Sequence, residues 1–237
     1  MPGIRLAHVA HVGRDVRELN DWYREEFGVV GFMGWPEPHY LESERRYASM
    51  FMVGGLCVET MAPATPLDET SPIGRALARH GEHLFSMAFR VDDLAALGRR
   101  LLAEGVSIGA PGGGRAETIP DGARYFVPSR RDMAGLRIEV LDVVISGDPR
   151  SSPDWAPALD LAHITVEVPD PAEARDRLVG LLGAEPGGRP GFVRLGDATL
   201  ELRSGAAPRL VGATLQGRGA PAGAAVVQGH GVAYVMT

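Results

Sequence analysis

The chain has 237 residues, with 30 acidic and 24 basic side chains and a formal net charge of −6. This mild acidity gives no basis for nucleic-acid binding. The chain contains no run of about 18 apolar residues, so no membrane span is predicted. The single cysteine, Cys57, excludes an intrachain disulfide and is typical of a reducing compartment, so a cytoplasmic protein is expected.

The first predicted unit begins with a strand over residues 4–12 that carries His8. Asp15 stands at the N-cap position of a helix, and apolar residues at helical spacing continue the helix over residues 16–27. Gly28 is expected to end it. The chain therefore opens with a strand that leads directly into an amphipathic helix.

Three further strands are predicted after this helix. Two lie at residues 29–35 and 47–53, and the third, at residues 56–61, follows a tight Gly54-Gly55 turn. Alternation along the third strand places Glu59 and the buried thiol of Cys57 on one face. The first module is therefore predicted to have the order βαβββ.

The strand and helix that open this module recur twice, at residues 85–93 and 162–170. In each copy an Asp follows one particular strand position by seven residues. The strand position and its Asp are His8 and Asp15, Ser86 and Asp93, and His163 and Asp170. The closing strands of the second and third copies carry Glu139 and Glu201. The repeat indicates that one structural unit has been used several times.

The repeat also predicts the domain organisation. Residues 1–145 are expected to form a pair of modules with the candidate site, residues 146–160 a linker, and residues 161–237 a third module with an abbreviated fourth. The predicted fold class is α+β, with tandem βαβββ modules whose mixed sheets form cupped barrels. The glycine-rich segment at 109–114 lacks the Lys-Ser/Thr of a phosphate-binding loop and is predicted as a hairpin or lid.

In a cupped sheet of this kind, the first and last strands of each module face inward. Their inward residues are His8 and Glu59 in the first module, and Ser86 and Glu139 in the second. An imidazole and two carboxylates, His8, Glu59 and Glu139, are candidate ligands of a divalent ion, which the residue types restrict to Fe, Mn, Co, Ni, Zn or Mg. Such an ion would act as a Lewis acid on an oxygen-rich substrate.

Further side chains are candidates near this site. The candidate pocket residues are Ser86, His83, Met50 and Tyr47. His163 and Glu201 repeat the first pair and are interpreted either as a structural polar pair or as a second metal site. His11 is at an odd spacing from His8, so it falls on the opposite strand face and is predicted at the surface or at an interface.

These motifs resemble the vicinal oxygen chelate superfamily, which includes glyoxalase I, methylmalonyl-CoA epimerase, extradiol dioxygenases and bleomycin-resistance proteins. The segments 58–63, 87–94 and 135–140 are similar to the epimerase-like branch. The resemblance implies that His8, Glu59 and Glu139 bind metal, and that a His would be expected where this chain has Ser86. It also implies an acidic general base on the strand that contains residues 47–51, which has no acid.

The resemblance implies a metal-dependent lyase or isomerase that acts on a small oxygen-rich substrate through metal-stabilised enolate chemistry. One alternative is a non-catalytic protein that binds a small molecule, as the drug-sequestering members do. Another is an extradiol-type dioxygenase, which needs two His and one Glu around iron, and Ser86 disfavours it. The expected partners are a small-molecule substrate or ligand and a second copy in a homodimer.

Overall fold

The computed structural model describes residues 3–65, 68–109, 115–119, 123–217 and 224–237. The glycine-rich segment predicted as a hairpin or lid lies outside the described residues from position 110 to 114. Among the helices of the described residues, none is long and apolar enough to cross a membrane.

The first module has the predicted strand and helix at its start. Its elements are β1 (Ile4–Val12), α1 (Val16–Phe27), β2 (Gly31–Met33), β3 (His39–Leu41), a 3₁₀ turn (Glu42–Glu44), β4 (Arg46–Val53) and β5 (Leu56–Pro63). Asp15 accepts a hydrogen bond from the backbone N–H of Arg17, and Gly28 ends α1 with a φ of 63°. The prediction of two strands before β5 misses β3, because three largely exposed residues carry no hydrophobic pattern.

The second module follows the short helix α2 (Pro72–His80). Its elements are β6 (His83–Val91), α3 (Leu94–Ala103), β7 (Ile108–Gly109), β8 (Arg115–Ala116), β9 (Tyr125–Pro128) and β10 (Ile138–Leu141). Asp93 caps α3 by accepting a hydrogen bond from the N–H of Ala96 at 2.7 Å. The cap position predicted from the repeat is therefore confirmed.

The third module and the abbreviated fourth complete the chain. The third contains β11 (Leu159–Val168), α4 (Pro171–Arg177), a π-helical turn (Leu178–Leu182), β12 (Glu185–Pro186), β13 (Phe192–Leu195) and β14 (Ala198–Ser204). The fourth contains β15 (Arg209–Gly217), β16 (Ala225–Gly229) and β17 (Val232–Met236). Asp170 caps α4, as the repeat predicts. The predicted linker contains a 3₁₀ turn (Pro149–Ser151).

In every module the first and last strands are parallel neighbours. The pairs are β1 with β5, β6 with β10, β11 with β14, and β15 with β17. Hairpin neighbours such as β4 and β5 are antiparallel. The sheets are therefore mixed, and the predicted α+β fold is confirmed. Within the described residues, the third module has the predicted βαβββ order, and the first and second modules each have one additional short strand. The parallel pairing is what brings the first and last strands of a module side by side.

The chain forms two compact units, neither of which is continuous in sequence. The first consists of Met1–Ala7, Ser86–Val143 and His163–Leu210, and the second of His8–Phe85, Val144–Ala162 and Val211–Thr237. The second unit contains α1, β4 and β5, and the first contains α3 and β10. Domain boundaries on either side of a linker at residues 146–160 remain a prediction.

In the second unit, the sheet of β1, β5 and β4 has two different faces. One face packs beneath α1, where Asn20 donates a hydrogen bond to Ser49 Oγ at 2.9 Å and Thr60 donates one to Asn20 Oδ1 at 2.6 Å. Leu19 and Tyr23 of α1 are fully buried on this side. The opposite face carries the side chains predicted to form the site.

Candidate functional site

His8 and Glu59 lie together on the face of the sheet opposite α1. Ala10 is paired with Glu59 between the parallel strands β1 and β5, so His8, two residues before Ala10, shares that face. His8 Nε2 is 3.3 Å from Glu59 Oε2. Each residue is only 7% exposed, and neither ring nitrogen of His8 has a hydrogen-bond partner within the described residues. The contact thus brings an imidazole nitrogen and a carboxylate oxygen together without forming a hydrogen bond.

Arg46, at the start of β4, binds the other oxygen of Glu59. Its Nη1 donates to Glu59 Oε1 at 2.8 Å, and its Nε donates to Glu44 Oε2 at 2.8 Å. Burial alone would raise the pKa of Glu59, but the Arg46 cation and His8 outweigh burial and hold this pKa at about 2. Glu59 is therefore an anion throughout the physiological pH range.

Arg46 is not among the site residues predicted from the sequence, although the sequence contains a signal for it. The two-residue Gly54-Gly55 turn fixes the register of the β4–β5 hairpin, in which Met50 is opposite Glu59. Arg46 is four residues before Met50, so strand alternation places it on the same face. Extending the hairpin register to its far end would have found this residue.

An apolar cluster lies next to these polar groups in the second unit. Met50, Met52 and Cys57 are buried, and the side chains packed against them are Phe32, Met33, Ile145 and Trp155. The predicted pocket residue Met50 is 2% exposed. Burial raises the pKa of the Cys57 thiol to about 12, so this sulfur is not a thiolate nucleophile at neutral pH. The cluster gives the His8–Glu59 pair a largely apolar surrounding.

Two other predicted pocket residues lie elsewhere in the second unit. Tyr47 is at an odd spacing from Met50, so its side chain is on the opposite strand face, where it is 38% exposed and its ring centroid is 5.2 Å from that of Tyr40. His83 forms a hydrogen bond of 2.7 Å between Nδ1 and the carbonyl oxygen of Gly81.

Ser86 and Glu139 form the corresponding pair in the first unit. Ser86 Oγ donates a hydrogen bond to Glu139 Oε1 at 3.0 Å. Arg137 Nε lies 3.5 Å from the same oxygen. A serine hydroxyl thus satisfies the carboxylate at the position where the first module has an imidazole.

The third module repeats the pair with His163 and Glu201. His163 Nε2 is 3.3 Å from Glu201 Oε2. However, the same oxygen accepts a hydrogen bond from Thr165 Oγ1 at 3.1 Å and is 2.8 Å from Arg203 Nη2. Burial lowers the pKa of His163. Because Glu201 Oε2 is surrounded by donors, this pair is less suited to a cation than the pair in the first module.

The His8–Glu59 pair fits two ligands of a single metal ion. First-row ions bind nitrogen and oxygen at about 2.0–2.2 Å, so neighbouring ligand atoms lie about 2.8–3.1 Å apart in octahedral geometry and about 3.3–3.6 Å apart in tetrahedral geometry. The observed separation of 3.3 Å falls in the tetrahedral range. A buried imidazole without a partner has a lone pair to offer, and the bond from Arg46 is of the kind that metal-binding carboxylates accept from their surroundings.

The third predicted ligand is not tested by this geometry. Glu139 belongs to the first unit, and His8 and Glu59 belong to the second. Within the described ranges, no group of three or more His, Cys, Asp or Glu side chains is arranged to hold a metal ion. The participation of Glu139 therefore stays a prediction.

His11 is fully buried, so the predicted position at the surface or at an interface is wrong. Its Nδ1 is 2.8 Å from Tyr23 Oη, and its Nε2 is 2.9 Å from the carbonyl oxygen of His230. Tyr23 Oη is in turn 2.8 Å from Tyr234 Oη. Because a carbonyl can only accept, Nε2 carries the proton and Nδ1 accepts from Tyr23. Burial lowers the pKa of His11 to about 4.

Comparison with known proteins identifies the family of the N-terminal half. The family model of the glyoxalase/bleomycin resistance protein/dioxygenase superfamily matches residues 7–123. This range includes His8, Glu59 and Ser86 and ends before Glu139. A search of curated proteins finds no match.

Several solved structures are similar to the chain. A hypothetical protein from Staphylococcus aureus is 9% identical, with 99% of both chains covered and a TM-score of 0.68. A mutant of 4-hydroxymandelate synthase from Streptomyces coelicolor is 17% identical over 91% of this chain and 71% of that chain, with a TM-score of 0.63. Methylmalonyl-CoA epimerase from Mycobacterium tuberculosis is 24% identical over 59% of this chain and 88% of that chain, with a TM-score of 0.46.

The first two similarities show a shared fold that extends over nearly the whole chain. The match of residues 7–123 carries the family assignment. Together with the four parallel pairs of first and last strands, it confirms the resemblance predicted from the sequence motifs. Through residues 7–123, the chain belongs to the glyoxalase/bleomycin resistance protein/dioxygenase superfamily.

Proposed function

We propose that this protein is a metal-dependent enzyme of the glyoxalase or epimerase type, a lyase or isomerase, that acts on a small oxygen-rich substrate. The observation that carries the proposal is the buried His8–Glu59 pair, in which Nε2 and Oε2 face each other at 3.3 Å without a hydrogen bond. A buried polar group without a partner costs about 1–3 kcal/mol. A cation bound by both atoms would remove that cost.

The local charge also supports a cation. Glu44 and Glu59 carry two negative charges, and Arg46 between them carries one positive charge. One negative charge remains in excess beside the imidazole of His8. A divalent ion bound by His8 and Glu59 alone would leave one positive charge, and with Glu139 as a third ligand the set would be neutral. In both cases the ion itself would supply the positive charge that stabilises an enolate or another oxyanion.

Each residue has a defined role in this proposal. His8 Nε2 and Glu59 Oε2 would hold the ion, and Glu139 is retained as a third ligand on the strength of the sequence resemblance alone. Arg46 keeps Glu59 anionic and fixes the orientation of its carboxylate. The ion would supply Lewis-acid stabilisation of negative charge on the substrate. Met50, beside Glu59, helps to exclude water.

Metal analysis of protein purified without an affinity tag tests the proposal. We expect about one first-row ion per chain, and we expect it to be lost in His8→Gln and in Glu59→Gln, which each remove one donor from the pair. Glu201→Gln is the matched control, because it alters the equivalent carboxylate of the third module and should leave the metal content unchanged. Glu139→Gln tests the third ligand separately.

A parent protein without stoichiometric metal, after purification with and without added Fe²⁺, Mn²⁺, Co²⁺, Ni²⁺, Zn²⁺ or Mg²⁺, would contradict the proposal. It would favour a second candidate, a non-catalytic protein that binds a small molecule in the same apolar surroundings. One observation supports this candidate: Arg46 already provides Glu59 with a buried cationic partner at 2.8 Å.

A further inference from the structure

The turn between β16 and β17 is held in an unfavourable backbone conformation. Gly229 is paired with Val232 in this hairpin, so His230 and Gly231 form a two-residue turn in which both residues have a positive φ, 47° and 75°. Glycine and asparagine are the residues favoured in such turns, and a histidine there costs free energy. The neighbours of His230 therefore have to supply the stabilisation that its backbone lacks.

Three side chains of the second unit contact His230. Its Nδ1 donates to Glu82 Oε2 at 2.5 Å, its carbonyl oxygen accepts from His11 Nε2 at 2.9 Å, and its ring centroid is 5.4 Å from that of Trp22. A Cβ atom on Gly231 would collide with the carbonyl oxygen of Glu82. The turn is thus closed tightly over Glu82 and the ring of His11.

The turn is the side of His11 that is nearest to solvent. On the other side of the ring, Tyr23 and Tyr234 are fully buried, whereas the side chains of His230 and Glu82 are 24% and 20% exposed. Within the described residues, the titratable groups that face His11 are Tyr23 of α1, Tyr234 of β17, His230 of the turn, and Glu82 and His83 at the start of β6. Displacement of the turn therefore hydrates His11 without breaking the hydrogen bond between the two tyrosines.

Protons bound by His11 and Glu82 act against the closed turn. Neutral His11 accepts the hydroxyl of Tyr23 at Nδ1, and a proton on this nitrogen removes the acceptor and puts a charge in a fully buried place. A proton on Glu82 removes the anion that accepts from His230 Nδ1 and, at 2.9 Å, from the backbone N–H of Arg14. Both groups therefore favour the closed turn when they are unprotonated.

The pKa values of both groups agree with this geometry. Burial lowers the pKa of His11 to about 4. Burial alone would raise the pKa of Glu82, but the hydrogen bonds from Arg14 and His230 hold this pKa below its ordinary value. Each group thus binds a proton less readily in the closed turn than in contact with water.

We propose that the His230–Gly231 turn is a latch that is closed while His11 and Glu82 are unprotonated and that opens when these two groups take up protons. Opening moves the turn away from Glu82 and Trp22 and lets water reach His11, whereas α1 stays in place. His11 alone makes opening about tenfold more favourable for each pH unit between 6.5 and 4, because the open form binds its proton first.

The fluorescence of Trp22 reports the state of the latch, because His230 and Gly229 lie against its indole ring. In a chain that carries Trp35→Phe and Trp155→Phe, Trp22 is the only tryptophan, and acrylamide quenching measures its exposure. We expect quenching to rise about threefold between about pH 7 and about pH 4.5, while far-ultraviolet circular dichroism stays unchanged because the opening is local.

The same measurement in His11→Gln tests the role of the buried ring. Glutamine keeps a donor for the carbonyl oxygen of His230 but does not bind a proton, so the rise in quenching above about pH 4.5 should disappear. His39→Gln, at an exposed histidine of the same unit, is the matched control and should keep the rise.

A second variant keeps the latch testable if His11→Gln does not fold. Gly231→Ala forces the turn away from the carbonyl oxygen of Glu82 and should hold the latch open. Nuclear magnetic resonance should then show the pKa of His11 raised from about 4 towards 6.5, with Trp22 already exposed at neutral pH. Gly105→Ala is the control, because Gly105 also has a positive φ, 78°, but no atom of the described residues lies within 4 Å of the added carbon.

Quenching of Trp22 that stays constant until circular dichroism is lost would overturn the inference, because the turn would then open only when the whole protein unfolds. A pKa of His11 that stays at about 4 in Gly231→Ala would also overturn it, because the turn would not be what keeps water from the ring. Neither measurement involves His8 or Glu59, so the result is independent of the proposed metal site.

Discussion

At the scale of single residues, one polar pair occurs three times, with a Glu on the last strand of a module beside a polar residue on its first strand: His8 with Glu59, Ser86 with Glu139, and His163 with Glu201. Strand alternation and the repeated Asp cap were enough to predict these pairs. The further partners of each carboxylate could not be predicted in the same way. Arg137, immediately before β10, and Arg203, on β14, are each two residues from the Glu, and their long side chains reach along the chain to the carboxylate.

The burial of His11 shows why a face cannot be assigned to solvent from strand alternation alone. The strand face opposite His8 is covered by α1, which supplies Tyr23, and by β17, which supplies Tyr234. β17 lies more than two hundred residues along the chain from His11. No local pattern in the sequence links these three side chains.

This chain of hydrogen bonds leads to a prediction about stability. Tyr234→Phe removes the hydroxyl group that is hydrogen-bonded to Tyr23 Oη, and both tyrosines are fully buried. The substitution should lower the free energy of unfolding by about 1–2 kcal/mol. Tyr47→Phe, at a half-exposed hydroxyl, is the control and should change it by less than about 0.5 kcal/mol. Chemical denaturation measures both. Equal effects would mean that the buried hydroxyl chain does not contribute to stability.

At the scale of elements, the helix starts are the most predictable feature of the chain. Asp15, Asp93 and Asp170 each accept a hydrogen bond from a backbone N–H of the first helical turn. A cap is predictable because it depends on local chemistry alone. The short strand β3 depends on its pairing with β4, in which Tyr40 is opposite Tyr47, and it has no comparable local signal.

Removing a cap tests this local contribution. Asp15→Ala should lower the free energy of unfolding by about 1 kcal/mol, because the N–H of Arg17 loses its acceptor at 2.7 Å. Asp21→Ala is the control on the same helix, since Asp21 forms an exposed pair with Arg24 that is worth about 0.5 kcal/mol or less. A larger effect at Asp21 would contradict the assignment of Asp15 as the cap.

At the scale of the whole molecule, two buried groups should make stability fall in two steps as the pH is lowered. The pKa of His11 is about 4 in the folded protein, below its ordinary 6.5. The unfolded chain therefore binds a proton between these values that the folded protein does not, and stability is lost as the pH falls from 6.5 towards 4. Glu59, with a pKa lowered from 4.5 to about 2, adds a second loss below pH 4.5.

Denaturation curves at a series of pH values measure these steps. The loss assigned to His11 is about 3 kcal/mol in all. In His11→Gln the loss of stability between pH 6.5 and 4 should disappear, although this variant is less stable than the parent at neutral pH. His39→Gln, a substitution at an exposed histidine, is the control and should retain that loss. An unchanged slope between pH 6.5 and 4 in His11→Gln would contradict the assignment to His11.

Because both units are discontinuous in sequence, they affect when the chain can fold while it is being synthesised from its N-terminus. The first unit needs residues up to Leu210, and the second needs Val211–Thr237. Although domains generally fold as units while the chain is being made, neither of these can be completed until most of the chain has left the ribosome. Nascent chains stalled near residue 150 should therefore be digested readily by protease, and protection should rise only when the final strands emerge. An exposed half-built core in this interval would make the growing chain depend on chaperones.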